Sequence, residues 1–246
     1  MAKMADKRRV LAFDDIDSTN AEARRLAEAH EAGPLWIIAA RQHQGRGRRG
    51  RSWETGEGNL AATYLFVTAK APAEAAQVSF VAALAVADLA AAYVPAGLVA
   101  LKWPNDPLIG GRKTAGILVE SGSLGPEGLW LAVGCGVNLA RAPTDSNRPV
   151  TALADHMTGP PPPPRAALEI LAEAMDRWRL VWEREGFASI AGAWTARAYG
   201  LGEPCVAHLT TESVRGVAEG LDTDGALRLR LEDGSVRRIT AGDVFF

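Results

Sequence analysis

Between Gly45 and Trp53 the chain reads GRGRRGRSW, with Arg46, Arg48, Arg49 and Arg51 set among Gly45, Gly47 and Gly50. Guanidinium groups carry a permanent charge and a planar fork of donors that suits phosphate and carboxylate. Glycine lets the backbone come close to a ligand. Two readings of this segment stand side by side. One is a solvated arginine-rich stretch that touches nucleic acid; the other is a lid, mobile when empty, that orders over an anion. A second cluster breaks the tie. Leu101–Pro107 is LKWPNDP, and Gly111–Glu120 follows as GRKTAGILVE. Pro104 forces Trp103 out of the α region, so Asn105 and Asp106 sit at a turn that returns the chain into a strand over 115–120. Lys102, Asn105, Asp106 and Lys113 are thereby gathered around one hairpin. An ordinary Asn-Asp turn beside a proline does not account for lysines on both sides of it.

Strands and helices must hold these groups. Apolar runs at Leu35–Ala40 and Leu60–Val67 bracket the arginine segment and predict two strands joined by it. Val99–Leu101 and Leu129–Val133 predict further strands of a mixed sheet. Gly116 inside a strand predicts that something approaches the backbone there. Gly134-Cys135-Gly136 opens like a dinucleotide fingerprint, but Leu139 stands in the third glycine's place. These glycines are read instead as admitting a ligand or backbone at a strand end. Lys113-Thr114 follows Arg112, so no Walker glycine precedes the lysine.

Thr19 with Glu22 three residues on is a capping-box pattern before a helix over 21–31. A helix N-terminus also offers free N–H groups to a ligand, so capping and binding are compatible roles for Ser18-Thr19-Asn20. Alanine, valine and leucine at helical spacing predict a buried helix over 75–93. Another runs over 165–185, with Leu168, Leu171, Met175, Trp178 and Trp182 on one core-like stripe and Pro164 near its start. A short helix over 187–197 follows. Pro160–Pro164 is a stiff connector or a polyproline ligand. From Pro204 the pattern becomes short strands with Asp224-Gly225 and Asp233-Gly234 hairpin turns, a small barrel.

A chain of 246 residues, 48% hydrophobic with net charge −2, fits one large and one small domain. Its charge argues against nucleic-acid binding by the whole chain. Cys135 and Cys205 lie too far apart for a metal motif and are read as free buried thiols in a reducing cytosol. No apolar run reaches the ~20 residues that span a bilayer. The N-terminal MAKMADKRR lacks the apolar core of a secretory signal.

In order, DSTN (Asp17–Asn20), RQHQGRGRRGRSW, KWPND (Lys102–Asp106), GRKTAGILVE, VGCGVNL (Val133–Leu139) and GVAEGLDTDGALRLRLEDG (Gly216–Gly234) resemble the biotin protein ligases. The resemblance runs from Asp15 to the C-terminus. It implies an α+β protein with a mixed β-sheet flanked by helices, the class II synthetase-like biotin–lipoate ligase catalytic fold, over 1–200. A small C-terminal SH3-like β-barrel would occupy 201–246. It also implies a short form without the N-terminal helix-turn-helix of some members.

The implied reaction has two halves. The biotin carboxylate attacks the α-phosphate of ATP to give biotinyl-5′-AMP and pyrophosphate; a lysine of a biotin carboxyl carrier protein then attacks that anhydride. Cations and Mg²⁺ offset the repulsion between anions. Lys113 and Arg48 are implied as catalytic. Ser18, Thr19, Asn20, Gln42, Gly45, Arg46, Gly47, Arg48, Lys113 and Gly116 are implied to contact biotin or biotinyl-AMP. Arg51, Trp53, Lys102, Asn105 and Asn138 are implied on the ATP side, and Asp106 as a Mg²⁺ ligand. A cytoplasmic monomer or homodimer is expected, with no DNA or membrane partner. The alternatives are a lipoate or octanoate ligase and, from another class, a nucleic-acid-binding module.

Overall fold

The computed structural model describes residues 8–144 and 148–246. The reading of the N-terminus as no secretory signal falls, through residue 7, outside the described residues. The first strand, β1 (Val10–Ile16), is one the sequence did not reveal. Its apolar start, Val10–Phe13, is only four residues long and gives way to polar Asp14-Asp15, and the strand lies largely exposed at a sheet edge, so no sustained alternation marks it. Helix α1 (Thr19–Glu28) starts two residues before the expected start. Strands β2 (Leu35–Gln42) and β3 (Leu60–Thr68) bracket the arginine segment as expected.

Helices α2 (Pro72–Ala75) and α3 (Val78–Ala91) follow. Together, Pro72–Ala91 is long and apolar enough, by length and composition, to cross a membrane, which corrects the sequence reading. Most of it is buried within the fold, so its apolar side chains already pack against the protein's own strands and helices.

After α3 come β4 (Val99–Lys102), β5 (Asp106–Ile109) and β6 (Arg112–Lys113), a three-stranded antiparallel sheet of their own. The turn at Asn105 therefore returns the chain into β5, with Lys102 opposite Asp106, and not into the strand over 115–120. That later strand is β7 (Ala115–Ser123), and it pairs with β8 (Leu129–Val137) in the main sheet. The main sheet has the order β1-β2-β3-β8-β7, with β1 parallel to β2 and the remaining pairs antiparallel.

Alternation along β2 sends Trp36 and Ile38 into the larger core, which includes α3 and α4 (Pro164–Glu185). Leu35 and Ile37 point to the other face, against Ala23 and Ala27 of α1. Helix α4 has Pro164 in its first turn, where the missing N–H costs no helical bond. Of its predicted stripe, Trp178 is half-buried and the other four residues are buried. Helix α5 (Phe187–Thr195) follows.

The C-terminal residues form β9 (Pro204–His208), β10 (Ser213–Leu221), β11 (Leu227–Arg230), β12 (Val236–Ile239) and β13 (Asp243–Phe245). They make one antiparallel sheet in the order β12-β11-β10-β9-β13. Its two Asp-Gly turns are those predicted. The β10–β11 turn docks on the larger unit: the Trp103 indole donates to the Gly225 carbonyl at 2.9 Å, and Gly225 packs against Phe80 and Phe187. The architecture is α+β, a helix-flanked mixed sheet followed by an antiparallel β unit.

Candidate active site

A cavity of about 310 Å³ opens where the β2–β3 loop, β6, the middle of β7 and β8, and the tip of β13 converge. Its floor is uncharged and buried. Ser18, not Thr19, caps α1, accepting from the Ala21 N–H at 3.4 Å; this corrects the capping-box reading. Thr19 is the first helical residue, and its hydroxyl is free to point inward. Gln42 Oε1 accepts from the Thr19 N–H at 2.9 Å and lies 3.1 Å from its hydroxyl, while Gln42 Nε2 donates to Thr55 at 3.0 Å. The Thr63 hydroxyl sits 2.8 Å from Thr19 Oγ1 and 2.7 Å from Asn20 Oδ1, one proton between two acceptors. Asn20 Nδ2 donates to Glu120 at 2.8 Å. Asp17, braced by hydrogen bonds from Arg25, has its carboxyl held down to about 2 and fixes the start of α1.

Glycines shape this floor. Gly116 and Gly136 face each other across β7 and β8, and the Trp53 ring packs against both. A Cβ on Gly116 would meet that ring at 2.6 Å, and one on Gly136 would overlap it. Gly134 gives the same clearance to Asn20. What approaches these backbones is therefore a pair of the protein's own side chains, where the sequence reading expected a ligand or another backbone. Cys135 lies between the two glycines, and burial pushes its thiol up to about 12.

The rim is cationic. The arginine segment is a hairpin: Trp53 N–H donates to Gly45 O at 2.9 Å, Gly47 N–H to Arg51 O at 2.7 Å, and Arg49 turns the tip at φ 59°. Its charges are met by carboxylates of the protein. Arg46 lies 3.5 Å from Glu120, the residue that also holds Asn20. Arg51 pairs with Asp243 at 2.6 Å. Arg48 donates to Asn105 Oδ1 at 3.1 Å; burial lowers its basicity, and the charges of Asp106 and Asp243 oppose that.

Asp106 sits between two ammonium groups, Lys113 in close contact and Lys102 at 3.6 Å. Burial lowers the Lys102 ammonium below the ordinary lysine value even with Asp106 beside it. The backbone of Lys113 is fixed from its other side: its N–H donates to Pro149 O at 3.0 Å and its carbonyl accepts from Thr151 at 2.9 Å.

One carboxylate flanked by two ammonium groups does not fit a metal held by the protein. Among the described residues there is no group of three or more His, Cys, Asp or Glu able to hold an ion. Asp106 is thus a poor Mg²⁺ ligand and a good brace for two lysines.

Of the predicted residues, Ser18, Thr19, Asn20, Gln42, Arg46, Gly47, Arg48, Arg51, Trp53, Asp106, Lys113, Gly116 and Asn138 line this one cavity. Gly45 stands behind it, pairing with Trp53. Lys102 reaches it through Asp106, and Asn105 faces a smaller neighbouring cavity of about 260 Å³ that shares Arg48. Asn138 is buried and donates to Thr151 O at 3.2 Å, which steadies the wall behind Lys113.

Thr63, Glu120, Arg148 and Asp243 belong to the site and were not predicted. Thr63 carries a signal in hindsight, a hydroxyl amid the apolar run of β3. The other three carry none, because their partners are remote in sequence.

The pattern of the Biotin/lipoate A/B protein ligase family matches residues 11–138, and that of the Biotin protein ligase C terminal domain matches 200–246. The chain is 46% identical to the biotin–[acetyl-CoA-carboxylase] ligase of Paracoccus denitrificans over 94% of its own length and 97% of the relative's. With the ligase of that description from Mycobacterium tuberculosis it shares 32% over 92% of its length and 85% of the relative's. Among solved structures it resembles the biotin protein ligase from Aquifex aeolicus in complex with biotin and ATP. The TM-score is 0.81 at 25% identity, over 96% of this chain and 97% of that one.

Proposed function

The chain belongs to the biotin/lipoate A/B protein ligase family, and from that premise we propose how its residues divide the work. It is an ATP-dependent biotin–protein ligase, acting on a biotin carboxyl carrier protein of acetyl-CoA carboxylase. The observation that supports the division best is the pairing, in one cavity, of a neutral hydrogen-bonding floor with a cationic rim. Biotin needs both: its ring system is uncharged and polar, and its carboxylate must meet a triphosphate.

The ring system takes the floor at Ser18, Thr19, Asn20 and Gln42, with the chain of the ligand running past the Trp53 ring that covers Gly116. The carboxylate then arrives at Lys113. There an attacking oxygen meets the α-phosphate between Lys113 and Arg48, and charge spreading onto the phosphate oxygens finds donors already oriented. Asp106 braces Lys113 and Lys102 toward the phosphates. Arg51, Trp53, Lys102, Asn105 and Asn138 take the nucleotide side. Gly45, Arg46 and Gly47 close the loop over the intermediate and exclude water. Mg²⁺ enters with the nucleotide as part of the substrate, its oxygens coming from phosphate and water, as is usual for this ion.

Residues 1–200 form the catalytic unit in this reading and 201–246 a small barrel-like unit. We place the reaction in the cytoplasm, where two unpaired buried thiols are at home. Incubation with ATP, Mg²⁺ and biotin, followed by mass spectrometry, is expected to yield biotinyl-AMP. Adenylate from lipoate and none from biotin would overturn the reading.

A further inference from the structure

Asp243 belongs to the C-terminal sheet, yet it lines the catalytic cavity. Three guanidinium groups converge on its Oδ2: Arg51 at 2.6 Å, Arg148 at 3.0 Å and Arg49 at 3.7 Å. The preceding carbonyl, Gly242 O, accepts a long bond of 3.5 Å from Arg48. Strand alternation explains the aim. β13 pairs with β9 through Asp243↔His208, Val244↔Ala207 and Phe245↔Val206. Val244 is buried in the sheet's own core, so its two neighbours face the other way. Phe245, on that outward face, lies 5.7 Å from the Lys102 ammonium and 5.3 Å from the Arg148 guanidinium. One face of β13 is thus turned onto the cations of the cleft.

The Asp243 side chain is 17% exposed and its loop partners Arg49 and Arg51 are 42% exposed, so these pairs are partly screened and respond to salt. Two of its partners, Arg49 and Arg51, lie in the hairpin that carries Arg48. A single carboxylate against this many guanidinium groups leaves the cluster strongly positive. It cannot stand in for a triphosphate, but it can fix where the arginines are.

We propose that Asp243 is a positioning residue for adenylation, fixing the arginine loop from the C-terminal sheet so that Arg48 stands over the cleft. The inference rests on the ligase reading above. It assigns the C-terminal unit a part in the first half-reaction through a residue that touches neither biotin nor the reacting phosphate.

The test compares wild type with Asp243→Asn, Asp243→Glu, Arg51→Ala and the R51A/D243N double variant. Single-turnover adenylation and the rate of biotinyl-AMP release are read for each, with circular dichroism as the check on folding. Asp243→Asn is nearly isosteric and is expected to slow adenylation and speed release, each by about tenfold, the size of one charged hydrogen bond. Asp243→Glu should recover most of both. The double variant should lose less than the product of the two single losses, because the Arg51–Asp243 contact is removed in both single variants while Asp243 keeps Arg49 and Arg148. Asp243→Asn at wild-type rates, or losses that multiply in the double variant, overturns the inference while the ligase reading stands. Asp243→Asn that binds ATP more tightly also overturns it, since Asp243 would then be a competitor of phosphate. If wild-type protein makes no biotinyl-AMP, the ligase reading and the inference fall together.

Discussion

The floor and the rim of the cavity are built on opposite principles. The floor is built of neutral amides and hydroxyls, and its hydrogen bonds run in a chain from Thr55 through Gln42, Thr19, Thr63 and Asn20 to the Glu120 carboxylate at its edge. Thr19, Asn20 and Thr63 at its centre are buried, where an unmatched donor or acceptor would cost more than an imperfect pair gains. The rim is charged and half-exposed, and it is held by ion pairs that reach across the molecule to Asp106 and Asp243. A rigid neutral floor suits a ligand that is recognised once. A cationic rim anchored by a few carboxylates suits charge that appears, moves and leaves.

The difference can be tested from the rim inward. Lys113→Ala should lose adenylate formation by ~10²–10³, the usual loss for one transition-state donor. Its folding should change little, because the backbone bonds of Lys113 to Pro149 and Thr151 do not need the side chain. Single-turnover adenylation near the wild-type rate would show that the reacting carboxylate lies elsewhere.

Arg48→Gly should leave adenylation weaker and the closed loop leaky. Release of biotinyl-AMP is expected to rise about tenfold, the worth of one charged hydrogen bond, with labelling of lysines on unrelated proteins. A variant that modifies only the carrier and retains the intermediate would move Arg48 from fastening to shaping.

Gly136→Ala tests the floor. The added Cβ overlaps the Trp53 ring, so the ring must shift, at a cost of about 1–3 kcal/mol in stability. The KM for biotin should rise more than that for ATP. A rise in the KM for ATP alone would mean that Trp53 serves the nucleotide and not the floor.

Two milder perturbations separate floor from rim by their conditions. Raising the salt should speed amide exchange over 46–53, where ion pairs are partly exposed, and leave Thr19–Asn20 unchanged. Equal responses would erase the contrast. Acid acts on the carboxylate anchors. Arg25 holds the Asp17 carboxyl at about 2, below its unfolded value, so its contribution is fully present above ~4 and is lost as the pH falls toward 2. Exchange at the start of α1 should quicken over that window, and Asp17→Asn should remove the dependence.

Much of this was legible in the sequence. Turns and strands depend on neighbours in the chain, and so the bracketing of the arginine hairpin by β2 and β3 and the Asp-Gly turns after Pro204 could be read directly. The motif residues could also be named, because KWPND and GRKTAG place their cations within a few positions of one carboxylate. Local pattern misled in two ways. The turn at Asn105 is followed by apolar residues in both β5 and β7, and only pairing decides that β5 returns first. Ser18 and Thr19 are equally good caps by type, and the choice fell to Ser18 because Thr19 is claimed by Gln42 and Thr63.

Sequence alone determined most of the residues that gather at the cavity and the alternating elements that carry them, since both follow from residue type and short-range spacing. The tertiary structure decided how those groups are held. Glu120 bridges Asn20 and Arg46 from the middle of β7, and Trp53 settles on glycines of two other strands. Asp243 meets Arg51 across 192 positions of chain. Such contacts depend on how distant strands and sheets dock, and side-chain packing at that range leaves no period or spacing along the chain from which it could be read.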